Sequence, residues 1–449
     1  MIDFTQGPVL RKIIRFSLPL LVGNLFQQLY TVVDSILLGR LVSPVALAAA
    51  GTVTPLTMLL LGVICGFTLG TSLMVAKATG KKDSAAVKRL VESTFLADML
   101  VGIVLAVLAY VLAEPILRWM RTPVEVLPQA VIYLRIVSVG LVFQCLYQYL
   151  TDVLRGLGDS KTPLLFLIVA TVLNIVLDLV FILLLHMDVA GVAYATVIAQ
   201  MLSAVSCMIY SRYRYGSLLS LNLLPRGVDR SLLRGSLSLG LPSAMQQTVG
   251  SIGALGMQSV VNSFGAAAMN GYNAAYKVDN FIMLPISTLG IALGTFIAQN
   301  VGAGDLTRVS QGMKKTSISC GAMSVAASAL IFVFAESLVQ IFVTAEEIET
   351  IIIGAWGLRV LAVPYILCSQ ANIFTSFFRG VGAVKVAFWI SFLQVVIRLA
   401  ICFGLSPIPA IGLNAVWFCM PVTWVQVCLF SWVYYRSHRW ERAMKLGTL

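Results

Sequence analysis

Leu154-Arg155-Gly156-Leu157-Gly158 and Phe378-Arg379-Gly380-Val381-Gly382 are one motif written twice, 224 residues apart. The same shift carries Arg135, in a Leu-Arg pair, onto Arg359, and Lys161 onto Lys385. With a small gap, Leu69-Gly70-Thr71 matches Leu293-Gly294-Thr295, and Gly80…Asp83 matches Gly302…Asp305. The shift is about half of the 449 residues. Both copies lie in apolar sequence, and a duplicated membrane bundle is a common plan of secondary transporters, with the substrate path where the copies meet.

Composition identifies the solvent. Hydrophobic residues make up 59% of the chain and charged residues 11%, with a mean hydropathy of +0.92. A soluble domain carries roughly 25% charged residues, so this chain cannot coat itself in water. Apolar windows of spanning length recur at 13–38, 45–76, 90–113, 126–150, 163–185, 190–211, 236–263, 272–299, 317–334, 348–374, 384–405 and 412–435. They predict an all-α polytopic membrane protein with twelve transmembrane helices in two pseudo-symmetric six-helix bundles. The runs are apolar throughout, unlike the alternating strands of a membrane barrel. The first window is long enough to span and no small-residue cleavage site follows it, so it reads as a permanent helix.

The net charge of +12 raises the question of nucleic acid, and its distribution answers it. With the N-terminus in the cytoplasm, cytoplasmic segments hold 24 of the 31 Lys and Arg, and external segments hold Arg40, Arg118 and Arg121. That is the positive-inside pattern of a multi-pass protein of the plasma (cell inner) membrane, with both termini cytoplasmic. The expected organisation is an N-lobe over 1–211, a cytoplasmic linker over 212–235 with Pro225 and Gly227, a C-lobe over 236–435 and a cytoplasmic tail over 436–449. Six spans per copy make the repeats parallel. The eight Cys all fall in spans without ligand spacing and read as packing residues.

Pro19 and Pro242 occupy matching places in the first span of each copy, and Pro55 and Pro285 in the second. A fixed kink is the plainer use of such a proline, and a helix that bends with occupancy is the alternative.

An ionisable group inside a span faces a polar cavity or a partner. Gln27, Tyr30, Thr31 and Asp34 share one face of the first span. Asn174 and Asp178 in span 5, and Thr196 and Gln200 in span 6, are four apart, and Tyr133 and Gln144 add a phenol and an amide in span 4. Together they are expected to line one aqueous cavity. Its carboxylates suit a proton, and with the Asn and Thr oxygens (Asp34, Asn174, Asp178, Thr196) they suit Na⁺ equally. Asp98 has few polar neighbours on its own face and reads as a partner of a neighbouring helix. Asp152 reads as a local partner of Arg155. At the positions matching Asn174 and Asp178 the second copy has Arg398 and Cys402. Its membrane acid is Asp279, which either attracts a cationic substrate or neutralises Arg398. Met257, Tyr272, Tyr276, Asp279 and Met283 are candidate substrate contacts, through flexible apolar area and cation–π interactions.

These residues resemble the multidrug and toxic compound extrusion (MATE) family over nearly the whole length. The resemblance rests on Leu-Pro followed by Gln-Gln and Val-Asp-Ser-Ile in span 1, Asn-Ile-Val-Leu-Asp in span 5 and Gly-Val-Ala-Tyr-Ala-Thr in span 6. The paired Arg-Gly-x-Gly turns and Gln299-Asn300-Val301-Gly302-Ala303-Gly304-Asp305 add to it. It implies a V-shaped pair of bundles, alternating access and cation-driven export. It also implies a cation-coupling set of Asp34, Tyr133, Asn174, Asp178 and Thr196. From their own placement on the same cavity faces, Gln27, Tyr30, Gln144 and Gln200 are candidate substrate contacts. Some members carry acids in spans 7 and 10 for Na⁺. Here span 7 offers Gln246, Gln247 and Gly250, and span 10 has no acid after Glu349. That departure favours proton coupling in the N-lobe.

The expected function is an antiporter exporting amphipathic, mostly cationic organic compounds in exchange for H⁺ or Na⁺, acting as a monomer without a cofactor. A lipid-linked precursor flippase is the alternative. It calls for a strongly cationic central cavity, whereas the deep charge here is mainly acidic. No nucleophile–base pair, metal motif or phosphate loop points to an enzyme.

Overall fold

The computed structural model describes residues 1–216, 218–219, 229–344 and 346–446. The linker residues Ser217 and 220–228, with Pro225, Arg226 and Gly227, lie outside the described residues, as do the last three residues of the tail. Among the described residues there is no strand. The helices are α1 (Val9–Leu37), α2 (Pro44–Gly80), α3 (Ser84–Val111), α4 (Ala113–Trp119), α5 (Leu127–Gly156), α6 (Lys161–Leu179), α7 (Val189–Tyr215) and α8 (Arg230–Asn262). They continue with α9 (Ala266–Ala303), α10 (Leu306–Gln340), α11 (Ile348–Ala362), α12 (Tyr365–Val381), α13 (Val384–Leu405), α14 (Asn414–Arg436) and α15 (Trp440–Leu446). Short π-helical turns, Leu38–Val42 and Val180–Leu184, extend α1 and α6.

Among the described residues nine helices are long and apolar enough to cross a membrane, and α11 with α12 forms a tenth span bent by 61°. The polar α1 and α8, at 29 and 33 residues, complete the twelve transmembrane helices. The short α4 and α15 are additional to the spans.

The chain groups into two compact units, and both α1 and α8 change unit along their length. The first unit holds Met1–Asp3 and Leu18–Ala244, and the second holds Phe4–Ser17 and the described residues from Met245 onward. In the first unit α5 packs on α2, α3 and α7, and α6 packs on α7. One core of this unit joins Ala46, Ala49 and Val53 of α2 with Leu117, Leu134 and Val192. In the second unit α9 packs on α10, α11 and α12, and α13 packs on α14. Its core is built around Tyr272, Leu358, Tyr365, Trp417 and Trp424.

Lipid offers no hydrophobic drive between helices, so close approach of small residues matters. The duplicated motif shows this in each unit. A Cβ on Gly156 would lie 2.7 Å from the Ser72 carbonyl oxygen, and one on Gly380 would lie 2.8 Å from that of Gly294. Two residues on, Gly158 and Gly382 adopt φ of +87° and +90°, a left-handed turn that glycine permits. The Asp83 and Asp305 side chains accept from the N–H groups of Ala86 and Arg308 at 2.8 and 2.9 Å, capping α3 and α10 alike.

The sharp break of a span falls where sequence reading did not place it. α1, α2, α8 and α9 run unbroken through Pro19, Pro55, Pro242 and Pro285. The expected tenth span, 348–374, instead breaks before Tyr365. Pro364, which caps α12, has no N–H to give α11, and its ring excludes the helical position of the preceding turn.

Candidate functional site

Two helices turn a polar stripe inward because the opposite stripe is apolar. On α1, Leu18, Val22, Leu25, Leu29, Val32 and Ile36 are exposed at helical spacing, the pattern of a lipid-facing surface. The other face carries Gly23, Gln27, Tyr30 and Asp34 into a cavity of about 310 Å³ in the first unit. On α6, Leu165, Val169, Val172, Val176 and Leu179 are exposed, while Thr171, Asn174 and Asp178 are buried. Tyr133 and Gln144 from α5, and Thr196 and Gln200 from α7, join the cavity wall.

Asn174, 1% exposed, stands between the two acids. With its amide nitrogen towards them it donates to Asp34 Oδ1 at 3.2 Å and to Asp178 Oδ2 at 3.1 Å. An amide oxygen in that place would face two carboxylates and require a cation among them. The opposite side of the amide lies 3.4 Å from Thr196 Oγ1, which is 3.1 Å from Tyr30 Oη. Asp178 is fully buried behind the wall, and among the described residues its Oδ1 has no hydrogen-bond partner. Among the described lining residues Asp34 is the sole acid and Arg155 the sole base. Two neighbouring carboxylates repel unless a proton or a hard cation joins them, so this cluster can take up and release a small cation at the cavity edge.

The other expected residues lie elsewhere. Met257 and Tyr272 are buried in the core of the second unit, with Met283 packed against that core. Tyr276 is exposed and stacks on Tyr272 with ring centroids 6.1 Å apart. Asp279 accepts a hydrogen bond from Tyr365, while Arg398 donates to Thr423 Oγ1 at 3.4 Å. Asp98 accepts from Thr71 Oγ1 at 2.9 Å, across to α2. Asp152 pairs with Arg155 at 3.3 Å and also accepts from Thr68 at 2.6 Å. Sequence reading missed the far end of the cavity, where Tyr147, Gln148, Thr151, Arg155 and Ser160 line it. The signal was present: Gln144, Gln148, Thr151 and Arg155 continue one face of α5 at helical spacing.

The profile of the MatE family matches residues 19–180 and again 242–403, so both bounds repeat with a shift of 223 residues. The chain belongs to the MatE family. Its MATE fold agrees with a solved outward-facing multidrug resistance MATE family transporter of the MOP superfamily. That structure is 22% identical with a TM-score of 0.90, over 99% of this chain and 98% of that one. Among curated relatives it is 30% identical to the probable multidrug resistance protein YpnP of Bacillus subtilis (strain 168), over 99% of both chains. It is 32% identical to the probable multidrug resistance protein YoeA of the same organism, over 96% of this chain and 94% of that one. This MATE chain is accordingly a multi-pass membrane transporter.

Proposed function

We propose that the protein is a plasma-membrane antiporter that exports amphipathic organic cations in exchange for H⁺, with Na⁺ as the second candidate ion. The observation that carries this reading is Asn174 held between Asp34 and Asp178 at the edge of the first unit's cavity. In this reading Asp34 and Asp178 take the ion, and Asn174, Tyr133 and Thr196 hold them in register. Gln27, Tyr30, Gln144 and Gln200 meet the substrate. Met257, Tyr272, Tyr276, Asp279 and Met283 serve a second substrate surface after rearrangement of the core in which Met257 and Tyr272 sit. The protein works as a monomer with both termini cytoplasmic.

Span 10 carries no acid after Glu349, a departure from the Na⁺-site pattern that favours the proton. Ion and drug need not share atoms, because exchange requires only that each prefer a different conformation. The flippase reading receives no support from the cavity, where the one base among the described lining residues, Arg155, is already paired with Asp152. The test is ethidium flux in proteoliposomes with ΔpH and a Na⁺ gradient imposed separately. Flux driven by ΔpH and lost in Asp34→Asn is expected. Flux that follows Na⁺ alone reverses the ion, and full activity of Asp34→Asn removes that carboxylate from the mechanism.

A further inference from the structure

The signature Gln299-Asn300-Val301-Gly302-Ala303-Gly304-Asp305 plays no part in the cavity. In the second unit it forms the end of α9 and the cap of α10, and the beginning of the chain lies on it. Phe4 is 0% exposed. Its ring meets Phe16 and Phe296 edge-on at 5.2 and 5.6 Å. Its N–H donates to Gln299 Oε1 at 3.2 Å, and its carbonyl accepts from Asn300 Nδ2 at 3.3 Å and from Arg308 Nη2 at 2.9 Å.

Arg308 completes the socket. It donates to the carbonyls of Gln6 at 3.2 Å and of Gly7 at 3.1 Å, and through Nε to Asn300 Oδ1 at 3.1 Å. A guanidinium ordinarily seeks a carboxylate, but this one is turned on main-chain and amide oxygens. Such a socket recognises the course of a backbone turn and a single aromatic ring. Gly7, at φ +70°, supplies the left-handed turn. The match of Asp83 to Asp305 places Ala86 opposite Arg308, so the first copy lacks the clasp.

The segment held here leads directly into α1. Phe16, against which Phe4 packs, precedes Pro19 by less than one turn. Residues Phe4–Ser17 group with the second unit, and those from Leu18 to Ala244 group with the first. Beyond Pro19 the same helix carries Gln27, Tyr30 and Asp34 to the cavity. We propose that Gln299, Asn300 and Arg308 form a latch for the amino-terminal strap. Docking of residues 4–7 fixes the first turns of α1, and undocking accompanies a change in what occupies the cavity. Linkage makes the coupling reciprocal: a cavity ligand that alters docking is itself altered in affinity by docking, by the same factor. The coupling half rests on the proposed transport site, and the docking half does not.

The test uses the full-length protein with a nitroxide on Gln6→Cys, read as a difference against protein lacking that cysteine. Gln6 has an exposed side chain, so the label reports the strap without filling the socket. An immobile spectrum is expected in the parent and in Phe4→Leu. A rise of ~10-fold or more in the ratio of mobile to immobile label is expected in Phe4→Ala and Arg308→Ala, the consequence of losing a buried ring or several charge-assisted bonds. Unchanged mobility in Phe4→Ala overturns the docking, and that variant decides alone if Arg308→Ala does not fold.

For the coupling, ethidium or an acid step across neutrality is expected to shift the label's mobility in the parent, and Phe4→Ala is expected to change ethidium affinity by the same factor. Mobility that ignores both ethidium and acid overturns the latch. A response to acid with no binding of ethidium supports the latch and refutes only the drug-site reading.

Discussion

Replacing Gly66 of α2 with alanine sets one added methyl group against a helix backbone. The new Cβ would lie 2.2 Å from Ala244 Cα and 2.3 Å from Ala244 N. Carbon atoms rest at ~3.5 Å or more, so the first part of α8 must retreat by about 1.3 Å. One turn along, a Cβ on Gly70 would lie 2.4 Å from the Ser236 carbonyl oxygen and 2.6 Å from Gly240 N, so the seam has no slack there either. The retreat also stretches the hydrogen bond between Thr71 Oγ1 and Ser236 Oγ, now 2.9 Å. Overpacking costs about 1–3 kcal/mol and the weakened bond about 1 kcal/mol. The better helix propensity of alanine returns about 1 kcal/mol. The net expectation is a loss of about 2 kcal/mol.

Gly51 on the same helix is the control. Nothing lies within 4 Å of its added Cβ, so Gly51→Ala should be neutral or stabilising by up to about 1 kcal/mol. The assay is thermal exposure of the buried thiols Cys145 and Cys207 to a fluorogenic maleimide, since both lie in the first unit. Gly66→Ala should lower the midpoint by several degrees, whereas Gly51→Ala should not. Adding Ala244→Gly should not rescue Gly66→Ala, because the clash is with the main chain. A Gly66→Ala midpoint at or above the parent's would refute the backbone-contact argument.

Three further outcomes follow from other parts of the molecule. Asn174→Leu keeps the volume and removes the amide between the acids, so gradient-driven ethidium export should fall by ~10-fold or more; export at the parental rate would leave Asn174 without a role. Asp159, in the turn between α5 and α6, is buried, yet hydrogen bonds from Thr162, Tyr215 and Lys161 outweigh that burial and hold its carboxyl below the ordinary value. Its contribution is therefore complete above the unfolded carboxyl pKa and is lost as pH falls through the folded one. Asp159→Asn should be less stable than the parent by a constant margin from neutral pH down to about pH 4, and the margin should shrink as pH falls further; a margin that stays constant well below that pH would contradict this. Cys402 and Cys419 place their sulfurs 3.4 Å apart between α13 and α14. Mild oxidation with copper–phenanthroline should join these two, and a mass spectrum showing both still as free thiols would show that the hairpin is packed differently.

Much of the arrangement is legible in the sequence, for identifiable reasons. Exposed Leu, Val and Ile on α1 and α6 alternate at helical spacing with polar residues that line the cavity on α1 and are buried on α6, so the inward stripes of Gln27, Tyr30, Asp34, Asn174 and Asp178 were legible. Partnerships across helices were not. Asp98 shows few polar neighbours along its own helix because its hydroxyl donor, Thr71, comes from α2. Tyr272 and Met257 look like contact residues in a string of aromatics and methionines, but α11 and α14 close over them to make a core. Pro19 and Pro364 look alike as letters, yet α1 continues through one and the span breaks at the other.

By itself the amino-acid string determined the solvent, the duplication, the spans and the inward faces of spans 1, 5 and 6. These depend on transfer of side chains to lipid and on helical period, both local quantities. Only tertiary structure decided that one amide joins two acids from different helices, that Asp178 sits behind the cavity wall, and that Phe4 fills a socket some three hundred residues away. Each of these is a distance between helices that share no period, set by where small residues let backbones meet.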